Sequence, residues 1–125
     1  MTVSHAILLA AAGAIGTLLR AVTNEAFLRL AGPAFPWGTL FINVTGSFCF
    51  GLVVALVRHR SLLPAGIETV ILVGLLGGFT TFSTFAGQSV ELFTGGRPAI
   101  AIAYVVLTNL AALGAVWVGL ATAGR

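Results

Sequence analysis

Gly77-Gly78-Phe79-Thr80-Thr81-Phe82-Ser83-Thr84-Phe85 stands in the middle of an apolar run that extends over roughly residues 65–93. Two glycines followed by four hydroxyl residues within five positions make a poor helix interior, because glycine costs backbone entropy and hydroxyls compete for backbone partners. The stretch predicts a helix broken near its middle. The flanking residues say where that break sits. Each side carries enough apolar residues for half of a membrane span, which needs about 20 residues in all. A break at that depth frees backbone carbonyls and amides that protein, water or an ion must satisfy. Such carbonyls form a hard, oxygen-rich site suited to a monovalent cation such as Na⁺. The competing reading is a small-residue helix contact with back-bonded hydroxyls.

Three further apolar runs surround this one, at roughly 3–30, 37–57 and 98–122. Between them lie breakers: Gly32-Pro33-Ala34-Phe35-Pro36, Arg58-His59-Arg60 with Pro64, and Thr94-Gly95-Gly96-Arg97-Pro98. The predicted fold is an all-α integral membrane protein with four transmembrane helices in a single domain, 1–125. Composition agrees. Hydrophobic residues are 58% and charged residues 7% of 125, where soluble domains carry about 25% charge. That excludes a soluble globular enzyme, a disordered tail and a disulfide scaffold. The single Cys49 cannot form an intrachain disulfide and reads as a buried thiol. Six scattered arginines against three glutamates give +3, but they make no basic patch, so no nucleic-acid partner is expected. The first run has no basic residue ahead of it and three spans follow, which argues against a cleaved signal peptide.

Arginines bear on topology. With four spans, Arg58, Arg60 and Arg125 share one side, and Arg29 and Arg97 the other. Three against two is almost no bias under the positive-inside rule. The chain is therefore expected to insert both ways and to pair as an antiparallel, dual-topology homodimer, the two-chain equivalent of an inverted repeat. Four short helices hardly enclose a polar pathway alone, which also points to an oligomer. Small residues at helical spacing (Ala12 with Gly16, Ser47 with Gly51, Gly74 with Gly78, Ala111 with Ala115) suggest close helix contacts.

Polar residues inside the spans mark function by default. Thr39, Asn43 and Ser47 fall on one helix face, as do Tyr104 and Thr108, with Asn109 beside them. Arg20, two-thirds along the first span, either snorkels to an interface or stands in an aqueous vestibule and concentrates anions. Glu25 and Arg29 form an i, i+4 pair, and Glu68 and Glu91 read as interfacial. No carboxylate sits mid-membrane, where a proton-coupled carrier needs one. His5 and His59 make no metal site, and Asn43-Val44-Thr45 is a spurious glycosylation match inside a span. There is no catalytic constellation, so no enzyme is expected.

Three motifs together resemble one family. Gly13-Ala14-Ile15-Gly16-Thr17-Leu18-Leu19-Arg20 is similar to its first-helix pattern. Gly38-Thr39-Leu40-Phe41-Ile42-Asn43-Val44-Thr45-Gly46-Ser47-Phe48 is similar to its second, and the 77–85 stretch to its third. These are the fluoride-exporting channels known as Fluc or CrcB proteins. The resemblance implies an antiparallel dual-topology homodimer in a microbial plasma membrane (a bacterial inner membrane), multi-pass, with two fluoride pathways. It implies one structural Na⁺ at the dimer centre, held by backbone carbonyls of Gly77 and Thr80 from both chains. Asn43, Phe82 and Phe85 would line the fluoride path. Ser83 and Thr84 would offer hydroxyls facing Tyr104 and Thr108, and Arg20 would stand at the vestibule. Gln88 replaces a glutamate common in the family, and Ala112 replaces a hydroxyl.

The chemistry suits that ion. Fluoride is small and strongly hydrated, and neutral N–H and O–H donors partly replace its water without trapping it. Phenylalanine edges are electropositive and set a narrow bore. Export needs no pump, since a negative-inside potential drives the anion out at about 2.3 kcal/mol per 100 mV. The alternative is a small multidrug-type proton-coupled antiporter, which also uses four spans and dual topology but wants a carboxylate in its first helix.

Overall fold

The structure is a computed structural model, which describes residues 1–60, 63–64 and 66–123, without the side chains of 59, 60 and 123. Arg125, which entered the charge count above, and residue 65, where the third span was expected to begin, lie outside the described residues. Seven helical segments follow one another among the described residues: α1 (Val3–Ala31), α2 (Trp37–Arg60), α3 (Ile67–Thr69), a π-helical segment (Val70–Leu76), α4 (Gly77–Phe79), α5 (Phe82–Thr94) and α6 (Pro98–Ala123). They make four membrane-length helices, Val3–Ala31, Trp37–Arg58, Ile67–Thr94 and Pro98–Thr122, with no strand among the described residues.

Local chemistry sets the ends. Thr2 caps α1 by accepting from the His5 N–H. Gly32 closes it at φ 71° with its N–H on Leu28 O, a left-handed backbone that favours glycine. The third span ends with Gly96 at φ 79° and the Arg97 N–H returning to Leu92 O, a Schellman-type stop. Pro98 then opens α6 at the position where a missing N–H costs nothing. Arg97 donates to Ala34 O across the two connectors on this side.

Packing is tightest where glycines let backbones touch. α2 lies along α6, with α1 against the π-helical segment and α4, and α5 against α6. A Cβ on Gly51 would stand 2.3 Å from Val116 O, and one on Gly119 would stand 2.3 Å from Phe48 O. Gly74 meets Leu9 and Ala12, and Gly78 meets Gly13. Three of the four small-residue pairs expected from sequence therefore include a glycine in such a crossing, and Ala115 of the fourth is buried. Lipid tails are as apolar as leucine, so this close van der Waals contact, not solvent exclusion, drives the helices together. Ile7, Leu18, Val22, Leu110, Leu113 and Trp117 are all exposed on the single chain, as a surface meeting lipid or a second copy would be.

The break was legible, and the π-helical turns before it were not. Val70-Ile71-Leu72-Val73-Gly74-Leu75-Leu76 winds with i→i+5 bonds, ending with the Gly77 N–H on Leu72 O and Gly74 O.

Candidate functional site

The site is built around the third-span interruption. Thr80 and Thr81 are extended (φ −76°, ψ 159° and φ −151°, ψ 116°), so the helix stops at Phe79 and restarts at Phe82. Thr80 still belongs to the first half, because its N–H and its hydroxyl both donate to Leu76 O, at 2.9 and 2.8 Å. Thr81 belongs to the second half. Its Oγ1 accepts from the Thr84 N–H at 3.2 Å as the N-cap of α5 and donates to Thr84 Oγ1 at 3.0 Å.

Side chains from the other helices hold the backbone groups set free here. Asn43 of α2 accepts from the Thr81 N–H through Oδ1 at 2.9 Å and donates through Nδ2 to Thr81 O at 3.1 Å. In an unbroken helix that N–H would go to Gly77 O. Asn43 thus leaves the Gly77 carbonyl without its helical donor, a hard neutral oxygen beside the break. From α1, Arg20 Nη1 donates to Thr80 O at 3.4 Å. The partly buried guanidinium therefore does not snorkel away. It meets a backbone carbonyl, the usual partner of a cation held inside a membrane.

A cavity of about 370 Å³ opens beside the break. Its walls include Asn43, Thr80, Thr81, Phe82, Phe85 and Thr108, with Gly77 and Ala112 at its margin. Behind it, the Phe85 ring lies 5.2 Å from that of Tyr104, and Phe35 meets Tyr104 edge-on at 5.4 Å. Tyr104 is fully buried, and its hydroxyl donates to Gln88 Oε1 at 2.9 Å. On the far side of this aromatic layer a second cavity, about 580 Å³, is lined by Thr39, Gln88, Asn24, Trp37 and Arg97 among others. The α2 face that carries Thr39, Asn43 and Ser47 therefore runs from one cavity to the other. Thr39 and Thr108, both buried, have hydroxyls with no partner among the described residues.

Asn43, Phe82, Phe85 and Thr108 come together with Gly77 and Thr80 at the first cavity, while Tyr104 backs Phe85 from behind. Ser83 and Thr84 do not join them within one chain. Both are exposed, and the Tyr104 hydroxyl goes to Gln88 instead of to either of them. The reason is helical phase: Thr81 caps α5, which places Phe85 inward and turns Ser83 and Thr84 outward. The two phenylalanines also differ. Their rings are 5.8 Å apart, yet Phe82 is 78% exposed and Phe85 only 7%. Phe85→Ala should consequently lower stability by about 3–5 kcal/mol, and Phe82→Ala by far less; thermal unfolding of the purified variants distinguishes the two. Sequence reading missed Thr81 as a wall residue and Gln88 as the tyrosine's partner. The first was signalled by the Thr-Thr-Phe-Ser-Thr run, and the second had no local signal.

Residues 7–120 match the family model described as CrcB-like protein, Camphor Resistance (CrcB). A protein of Rhizobium meliloti (strain 1021), named fluoride-specific ion channel FluC, is 40% identical over 118 residues, 94% of each chain. One of the same name from Agrobacterium fabrum is 42% identical over 114 residues, 91% of each chain. Fluoride-specific ion channel FluC 1 of Nitrobacter hamburgensis is 43% identical over 111 residues, 89% of this chain and 88% of its own.

Proposed function

The chain belongs to the CrcB family, and from that premise we infer that it is a fluoride channel of a bacterial plasma membrane, which lets cytoplasmic fluoride leave down its electrochemical gradient. The observation that carries this reading is the pair of cavities separated by the Phe85–Tyr104 layer and joined along one uncharged face of α2. An ion moving along that face meets the Asn43 carboxamide and the unpartnered hydroxyls of Thr39 and Thr108. Buried hydroxyls without partners are costly unless something polar visits them. Neutral donors in sequence offset dehydration while leaving the ion free to move on. The phenylalanine edges add weak attraction and a bore too tight for chloride.

Two chains in opposite orientation complete the assembly in this reading. Almost balanced arginines and the broad exposed apolar faces support it. The carbonyls of Gly77 and Thr80 fit a hard monovalent cation such as Na⁺, because Gly77 O has lost its helical donor and both oxygens are neutral. One chain offers two such oxygens, so the second copy supplies the rest. When bound, Na⁺ would tie the two breaks together and add positive potential for an anion. Arg20 of α1, whose guanidinium donates to Thr80 O, does the latter by itself.

Reconstituted vesicles test the function. Fluoride efflux should generate a voltage without any proton gradient, and chloride should lag far behind. Strict proton coupling would return the reading to an antiporter. Equal passage of chloride would remove the selective bore. Phe82→Ile and Phe85→Ile should each cut fluoride flux sharply while the dimer persists on size exclusion; unchanged flux in both would assign the rings to packing alone.

A further inference from the structure

Arg20 and the cation proposed above make rival claims on one oxygen. The guanidinium donates to Thr80 O, the same carbonyl that the cation reading requires. Arg20 is held in place for this. One turn earlier, Gly16 brings α1 so close that a Cβ there would stand 2.1 Å from Leu75 O and 2.8 Å from Phe79 N, so the arginine's base is pinned against the break. Among the described residues the one ion pair is Arg29 with Glu25, so no carboxylate neutralises Arg20. A guanidinium stays charged at every physiological pH. A cation and a guanidinium nitrogen on one carbonyl stand no more than roughly 6 Å apart, a range in which like charges disfavour each other.

We propose that Arg20 sets the affinity of the break for its cation by holding a like charge on the Thr80 carbonyl, so that the cation site is weaker than its oxygen donors alone would make it. The inference rests on the Na⁺ reading of Gly77 and Thr80. Its reciprocal also follows: a bound cation loosens Arg20 from Thr80 O by the same factor.

The test uses the full chain in detergent, its thermal midpoint followed as Na⁺ replaces N-methylglucamine at constant ionic strength. A ligand that binds only the folded form stabilises it in proportion to ln(1 + [Na⁺]/Kd), so the Na⁺ concentration at which the midpoint starts to climb reports affinity. Arg20→Gln, which keeps an N–H donor and removes the charge, should lower that concentration about ten-fold or more. Arg20→Lys, which keeps the charge, should stay within about three-fold of the parent. An unchanged or higher Na⁺ requirement in Arg20→Gln overturns the proposal, as does Lys behaving like Gln. A parent chain indifferent to Na⁺ overturns the cation reading and this inference with it, whereas a responsive parent with an indifferent Arg20→Gln overturns this inference alone. Should the variants fail to fold, the parent itself decides by NMR of ¹⁵N-arginine: the Arg20 side-chain resonance should move when Na⁺ is exchanged out, and a stationary resonance refutes the competition.

Discussion

Asn43→Leu should abolish fluoride flux and destabilise the protein more than any other polar substitution in the spans. Its carboxamide makes two bonds to one residue, accepting from the Thr81 N–H and donating to Thr81 O. Leucine fills similar space and satisfies neither. Each such group left unpaired costs about 1–3 kcal/mol. The expected loss is therefore about 2–6 kcal/mol. The chain has one way to recover, which is to return the Thr81 N–H to Gly77 O and continue the helix. That would rotate Phe82 and Phe85 and erase the break. Asn43→Asp separates the two bonds. It keeps the acceptor, loses the donor, and sets a negative charge against Thr81 O and the anion's path. Its flux should fall by at least about a hundred-fold, equivalent to roughly 2.7 kcal/mol of barrier. Vesicle efflux and thermal midpoints measure both variants. Flux in Asn43→Leu within about ten-fold of the parent, a barrier change of only about 1.4 kcal/mol, would show that the break holds without its clamp.

Gly16→Ala should be nearly as damaging, although it adds one methyl group. The atoms that this methyl meets are Leu75 O, Phe79 N and Gly78 C, at 2.1, 2.8 and 3.1 Å. All are backbone, so no side chain can turn aside. α1 must move away from the π-helical segment and α4, and Arg20 moves with it. Overpacking of this kind costs about 1–3 kcal/mol and more when the backbone cannot relax. Gly13→Ala is the natural control. Its Cβ would find only Gly74 O, at an ordinary 3.7 Å, and alanine favours a helix by up to about 1 kcal/mol over glycine. The two substitutions, one turn apart on one helix, should shift the thermal midpoint in opposite directions. Equal effects would mean that α1 does not lie against the break as described.

Much of this was legible from residues alone, for physical reasons that differ by feature. Four helices follow from apolar runs punctuated by Gly-Pro connectors, because a bilayer tolerates little else. The break follows from Gly77-Gly78 and the hydroxyl cluster, since no strong local preference holds a helix there. That Asn43, Phe82, Phe85 and Thr108 share a cavity was expected from the family resemblance together with helix faces. Three things resisted. Arg20 reaches Thr80 across sixty residues of chain, and nothing local records that contact. Tyr104 pairs with Gln88 because α5 and α6 run back antiparallel through a short connector; the register of that return depends on the Gly96 turn, not on either residue. Ser83 and Thr84 were expected along the path from the family resemblance. Which hydroxyl of the run would cap α5 decided their direction, and any of three could have done so.

The π-helical stretch from Val70 to Leu76 gives this span a tolerance for length change that an ordinary spanning helix lacks. Losing one codon from a regular transmembrane helix swings everything beyond it by about 100°. Here the widened turns already hold slack. Single-residue deletions between Thr69 and Gly74, ahead of the close contacts of Gly74 and Leu75 with α1, can be absorbed by tightening those turns, with Thr80 and Thr81 still presented to Arg20 and Asn43. Natural insertions and deletions in this lineage should accordingly gather in that short interval and avoid the rest of the span.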